Sequence, residues 1–118
     1  MLILVLEDEP IIAFGLEDML LEFGCTEVKV AARLPEARRI MAEERIDLAI
    51  LDVNIHGEQS YPLADELAAR RIPYFFASGY GDKAHPDRHR AVLTVTKPYS
   101  SDDIEAALSA ALASGALP

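Results

Sequence analysis

Five short apolar runs, separated by stretches of helical periodicity, constrain the fold of this chain more than any other feature. Leu2-Ile3-Leu4-Val5-Leu6 and Leu48-Ala49-Ile50-Leu51 show no polar alternation, the pattern of strands covered on both faces, as in a parallel sheet. Tyr74 to Ala77 and Val92 to Thr96 are two more such runs, and Glu27 to Ala32 alternates enough for a more peripheral strand. Between the first two strands, Pro10 to Phe23 places Ile12, Leu16, Met19, Leu20 and Phe23 on one helical stripe. Pro10 suits the first turn of that helix and Gly24 its C-terminal cap. Pro35 opens a second helix carrying Leu34, Ala37, Ile40 and Met41, and Pro62 opens a third with Leu63 and Leu67 inward, ending near Arg70-Arg71. Ser101 caps a last helix with Ile104, Ala107, Leu108, Ala111 and Leu112 on one side. Residues 79 to 91, punctuated by Gly79, Gly81 and Pro86, carry the weakest pattern; a short, mobile fourth helix is expected there.

Strands alternating with helices imply an α/β fold, a doubly wound parallel sheet with helices on both faces. At 118 residues the chain is the size of one such domain, expected to span 1–118 and to fold alone. In these sheets ligands bind at the carboxyl ends of the strands. Four of the five strands end on polar groups that complement one another: Glu7-Asp8 after the first, Asp52 after the third, Ser78 after the fourth and Lys97 after the fifth. In the flavodoxin-like (βα)5 order 2-1-3-4-5 the first and third strands are neighbours, so Asp8 and Asp52 face each other. Carboxylates that close repel unless a divalent cation lies between them. Oxygen ligands with positions left open for water and phosphate suit Mg2+. A lysine and a hydroxyl opposite complete a cage for a phosphoryl group, with Asp52 as the nucleophile.

These residues, in the segments "LVLEDEP", "AILDVN", "FASGYG" and "VTKPYS", resemble the receiver domain of two-component response regulators along the whole chain. The resemblance implies that Asp52 accepts phosphate from a sensor histidine kinase or a histidine phosphotransfer protein. It further implies that Asp8 is a direct Mg2+ ligand with Glu7 assisting through water, that Asn54 adds its backbone carbonyl, and that Ser78 and Lys97 bind the phosphoryl group. The Lys-Pro peptide is often cis in this family. "FFASGYGD" with "LDVNIHGE" is similar to the "FAT GUY" group of receivers, many of them single-domain regulators. Such a protein is a switch rather than an enzyme, catalysing only its own phosphorylation and dephosphorylation. Two positions depart from the general pattern. Thr94 stands where many receivers carry a switch Tyr or Phe, and His56 where many have Pro. With little side chain to move at Thr94, the signal is expected to run through Ser78-Gly79-Tyr80-Gly81 into the segment from Asp82 to Arg90.

Each strand-end residue alone has a plainer explanation: Glu7-Asp8-Glu9 as helix-capping acids, Asp52 and Ser78 as turn formers, Lys97 as a solvated charge. Four such coincidences at four strand ends weigh against it. A hydrolase of the haloacid dehalogenase type wants a second Asp where Asn54 stands, and a nucleotide or flavin binder wants a glycine- or hydroxyl-rich loop where "EDEP" stands. A receiver that is never phosphorylated and acts only by contact is the remaining alternative. Twenty acids against eleven bases give a net charge of −9, which argues against nucleic acid and anionic membranes as partners. Arg38-Arg39 and Arg70-Arg71 are expected on solvated helix faces. The single Cys25 excludes an internal disulfide and is expected to pack as a small hydrophobe. The apolar run at the N-terminus is too short for a signal peptide or a membrane span, and a cytoplasmic protein is expected. With no output domain expected after the last helix, output would come from protein contacts or onward phosphotransfer. His85 and His89 have metal-ligand spacing but Pro86 lies between them. Tyr80 and Tyr99 are open between packing at the core edge and contact with a partner.

Overall fold

The computed structural model describes residues 1–79, 86–89 and 91–115. The apolar runs pair as expected. β1 (Leu2–Leu6), β2 (Glu27–Ala31), β3 (Leu48–Leu51), β6 (Tyr74–Ser78) and β7 (Thr94–Thr96) form one sheet in the order β2-β1-β3-β6-β7. All pairings within it are parallel. This is the 2-1-3-4-5 order, with a small antiparallel hairpin, β4 (Asn54–Ile55) and β5 (Glu58–Gln59), inserted after the third strand.

Alternation along each strand sends side chains to opposite faces, and the core divides accordingly. Leu4, Leu6, Leu51 and Phe76 meet α2 (Leu34–Glu43) and α3 (Tyr61–Ala69) on one side. Ile3, Val5, Ile50 and Phe75 meet α1 (Pro10–Glu22) and α4 (Ser101–Gly115) on the other. Central strands buried on both faces need apolar residues at every position, and all five residues of β1 are buried. Each fully buried Leu or Ile contributes roughly 1.5–3 kcal/mol. Edge strand β2, half-exposed, can carry Glu27 and Lys29. Cys25 packs in the second core, as expected.

Several boundaries differ from the sequence reading. β2 stops at Ala31 because the Ala32 N–H donates to Glu36 Oε1 at 2.9 Å, at the start of α2. β7 begins at Thr94 rather than Val92, since the Val92 N–H donates to the His89 carbonyl at 3.1 Å and closes a turn. The cap of α4 is Ser100, not Ser101. The Ser100 N–H donates to Asp103 Oδ2 (2.9 Å) and the Asp103 N–H to Ser100 Oγ (3.2 Å), a reciprocal capping box. On α1 the stripe is set by Ala13, Leu16 and Leu20, leaving Ile11 86% and Phe14 65% exposed. Of the short helix expected within residues 79 to 91, the described part is a single 3-10 turn, Asp87–His89. Tyr80, residues 81–85, residue 90 and with them His85 and most of the expected signalling route lie outside the described residues.

Candidate functional site

The parallel register carries backbone hydrogen bonds one residue beyond the strands and so lines up their ends. The Glu7 N–H donates to the Ala31 carbonyl (3.0 Å), the Asp52 N–H to the Leu6 carbonyl (2.9 Å) and the Lys97 N–H to the Ser78 carbonyl (3.0 Å). Glu7, Asp52, Ser78 and Lys97 therefore stand along one sheet edge for reasons of backbone pairing alone. Side chains then converge. One carboxylate oxygen from each of Glu7, Asp8 and Asp52 lies within 4.8 Å of the others, the one such group of potential metal ligands among the described residues.

Lys97 holds two of the three, Glu7 and Asp52. Its Nζ lies 2.6 Å from Glu7 Oε1, 3.0 Å from Asp52 Oδ2 and 3.9 Å from Glu9 Oε1. Glu7 and Asp52 are only 4% and 7% exposed, so their charges need a partner. Burial pushes the Glu7 carboxyl up to about 7; the hydrogen bond from Lys97 opposes this and the Asp52 charge adds to it. Burial disfavours the Lys97 ammonium, but its bonds to Glu7 and Asp52 outweigh that and hold its pKa above the ordinary lysine value. Both shifts are upward, but that of Glu7 disfavours its charge while that of Lys97 favours its own, because a single lysine serves two buried acids. Lys97 keeps its proton, and Glu7 takes one up as pH falls through about 7. Tyr99, half-buried beside the cluster, has its phenol pushed up to about 12 by burial and by the Glu7 charge. It packs against the second core, the first of the two roles left open for it.

Above the acids an open cleft of about 470 Å3 is lined by Asp8, Glu9, Asp52, Asn54, His56, Gly57, Gly79 and Lys97. Glu7, Asp8, Asp52 and Lys97 are thus brought together, Asn54 shares their cleft, and Ser78 ends the neighbouring strand, fully buried. Glu9 is the N-cap of α1 and makes no side-chain cap hydrogen bond, while Glu7 Oε2 accepts the Glu9 N–H at 3.2 Å and its other oxygen faces Lys97. Glu9 and His56 were not singled out for this site by the sequence. Glu9 enters through its distance to Lys97, and His56 through its backbone, whose N–H donates to Asp8 Oδ2 at 3.1 Å. The Lys97–Pro98 peptide is cis. Thr94 is half-buried in β7, paired in register with Phe76.

His89 belongs elsewhere. Its ring is buried, with Nε2 2.8 Å from Asp65, Nδ1 3.0 Å from the Tyr74 hydroxyl, and its face stacked on Tyr61 at 5.5 Å between centroids. It fixes the 3-10 turn to α3. Arg38 is paired with Glu66 and Arg70 donates to the Met41 carbonyl, consistent with helix-surface roles.

Comparison with known proteins bears on the family and the fold. Residues 3–109 match the family described as "Response regulator receiver domain". The solution structure of SdrG from Sphingomonas melonis Fr1 is similar at 42% identity and a TM-score of 0.83, over 93% of this chain and 94% of that one. TrrA from Thermotoga maritima, solved in complex with Mg2+-BeF, is similar at 25% identity and a TM-score of 0.82, over 94% of this chain and 98% of that one. The transcriptional regulatory protein PdtaR of Mycobacterium tuberculosis is 30% identical over 114 residues, 93% of this chain and 56% of that protein. The chain spans about half the length of the curated relatives it matches.

Proposed function

Because this chain belongs to the response regulator receiver domain family, we propose that it is the phospho-accepting switch of a two-component relay, with Asp52 as the acceptor. The observation that carries this reading is a buried Asp52 carboxylate at the floor of an open cleft, 3.0 Å from Lys97 Nζ, with Glu7 and Asp8 beside it. An Asp52 oxygen attacks the phosphorus of a phosphohistidine. The P–N bond breaks as the new P–O bond forms, and the leaving imidazole takes up a proton. Lys97 offsets the charge gained in the acyl phosphate, and the Ser78 hydroxyl is the donor assigned to a phosphoryl oxygen.

Glu7, Asp8 and Asp52, with the Asn54 carbonyl, fit Mg2+: all are hard oxygen donors, and the three carboxylates already converge. Bound there, the ion would supply positive charge against the phosphoryl oxygens. That SdrG has also been solved in a BeF3-activated conformation, at 42% identity to this chain, supports the same chemistry here.

The donor is a sensor histidine kinase or a histidine phosphotransfer protein, and the exposed Ile11 and Phe14, in the first turns of α1 after the Glu9 cap, offer it an apolar contact. Among the described residues no helix is long and apolar enough to cross a membrane. A cytoplasmic location belongs to this proposal, since kinases that use ATP work there. Incubation with acetyl phosphate and Mg2+ tests it, read by intact mass. One added phosphoryl group, absent in Asp52→Asn, is expected. No addition to the wild type would leave a receiver that acts by contact alone.

A further inference from the structure

We propose that the His56-Gly57 turn is a positioning device for Asp8, holding its carboxylate ready for a divalent cation through the His56 backbone N–H. This rests on the metal reading given above. Glu7 and Asp52 are held by Lys97, whereas Asp8 Oδ2 accepts a hydrogen bond from the His56 N–H at 3.1 Å, across 48 residues of chain. A hydrogen bond to one carboxylate oxygen restricts rotation about Cβ–Cγ and so fixes where the other oxygen points. Outer partners of this kind set the affinity of a metal site as much as its ligands do.

The turn is built to stay in place. His56 and Gly57 have φ of 51° and 82°, the two consecutive positive values of a type I′ hairpin turn. The Ser60 N–H donates to the Val53 carbonyl at 2.8 Å and closes the loop, and Ile55 anchors it in the core under α3. Proline, which many receivers carry at the position of His56, has no N–H to give. The clamp is therefore a property of this chain's own residues.

Gly57 is the handle for a test: a Cβ there meets nothing within 4 Å, so a substitution strains the backbone, and because Gly57 also lines the cleft, asparagine, close in size to valine, serves as the control for bulk. Gly24, with φ 92° and equally open space, sits at the C-terminal end of α1 and is a matched control for strain away from the site. Mg2+ titrations followed by amide chemical shifts would compare the wild type with Gly57→Val, Gly57→Asn and Gly24→Val. Asn tolerates positive φ. The expected result is affinity about tenfold weaker in Gly57→Val, recovered in Gly57→Asn and unchanged in Gly24→Val. Gly57→Ala, less strained, replaces the valine variant if that one does not fold, with a smaller loss in the same direction.

Equal affinities for wild type and Gly57→Val, or an equal loss in Gly24→Val, would overturn the clamp. So would a loss in His56→Asn as large as that in Gly57→Val, because asparagine keeps the N–H and tolerates the positive φ of 51°, and the effect would then belong to the imidazole. Without metal, the His56 amide proton should move upfield in Asp8→Ala. If it stays, the hydrogen bond is absent and the clamp fails while the metal reading stands. A wild-type titration that never saturates overturns the metal reading and the clamp together.

Discussion

Glu7 makes the metal-free protein lose stability as pH rises, and the size of that loss can be worked out. Its folded-state pKa is raised from the ordinary 4.5 to about 7, burial being the main cause. Between these values the folded protein holds a proton that the unfolded chain has released. The unfolding free energy then falls with increasing pH. The sign is opposite to that of the usual paired carboxylate. The stability is present in full below pH 4.5 and lost as pH passes through 7. At about 1.4 kcal/mol per pH unit, the interval from 4.5 to about 7 sets the loss at roughly 3 kcal/mol.

Glu7→Gln replaces the titrating carboxyl with a neutral group of the same shape. The assay is urea unfolding of both proteins at pH 5 and pH 8 with EDTA, followed by circular dichroism. Comparing the variant's effect at the two pH values cancels the other titrating groups, Asp65 among them. The substitution is expected to be near neutral at pH 5 and stabilising by up to about 3 kcal/mol at pH 8. An effect that is the same at both pH values, or larger at pH 5, would refute the assignment of a raised Glu7 pKa.

Three further outcomes are expected. Mg2+ at 100 times its dissociation constant should stabilise the wild type by about 2.7 kcal/mol, seen as a higher melting temperature, and should do little for Asp8→Ala; an equal rise in both would show that Asp8 is no ligand. His89→Ala should cost about 2–3 kcal/mol in chemical unfolding, through the cavity it leaves and the partners it strands, and a loss under about 0.5 kcal/mol would mean that the ring does not tie the turn to α3. Ser100→Ala should cost about 1 kcal/mol as the loss of a cap, and Ser101→Ala less than about 0.5 kcal/mol; the reverse order would return the cap to Ser101.

The sheet was legible because its signal is strong: five runs in which burial on one or both faces demands apolar residues, interrupted by residues that a strand end tolerates and a core does not. The site followed from it, since the parallel order alone puts Glu7, Asp52 and Lys97 on one edge. What escaped the sequence is what side-chain type does not encode. β4 and β5 have two residues each, too few to show a period, and His56 takes a positive φ that histidine seldom announces. Its link to Asp8 runs through a backbone N–H that every residue except proline possesses. The Ser100/Ser101 choice was readable, because Asp103 lies three residues after Ser100, and the adjacent serine hid it. Pro86 already spoke against a ligand pair of His85 and His89, but nothing in the sequence assigned His89 its role, since its partners Asp65 and Tyr74 lie on α3 and β6 and have no sequence proximity to reveal them.

The cation that balances the acids is carried just past β7, a strand of three residues paired on one side, through Phe76, Ala77 and Ser78 only. Edge strands this short are where a sheet breathes first. Each transient detachment of β7 carries the base of Lys97 with it and leaves Glu7 and Asp52 facing each other without their counter-ion. The repulsion among the acids thus works as a latch spring: it makes detachment costly while the carboxylates are charged, and slackens when one of them is neutralised. On this geometry the rhythm of amide exchange at the rim of the sheet is expected to follow the ionic state of the cleft.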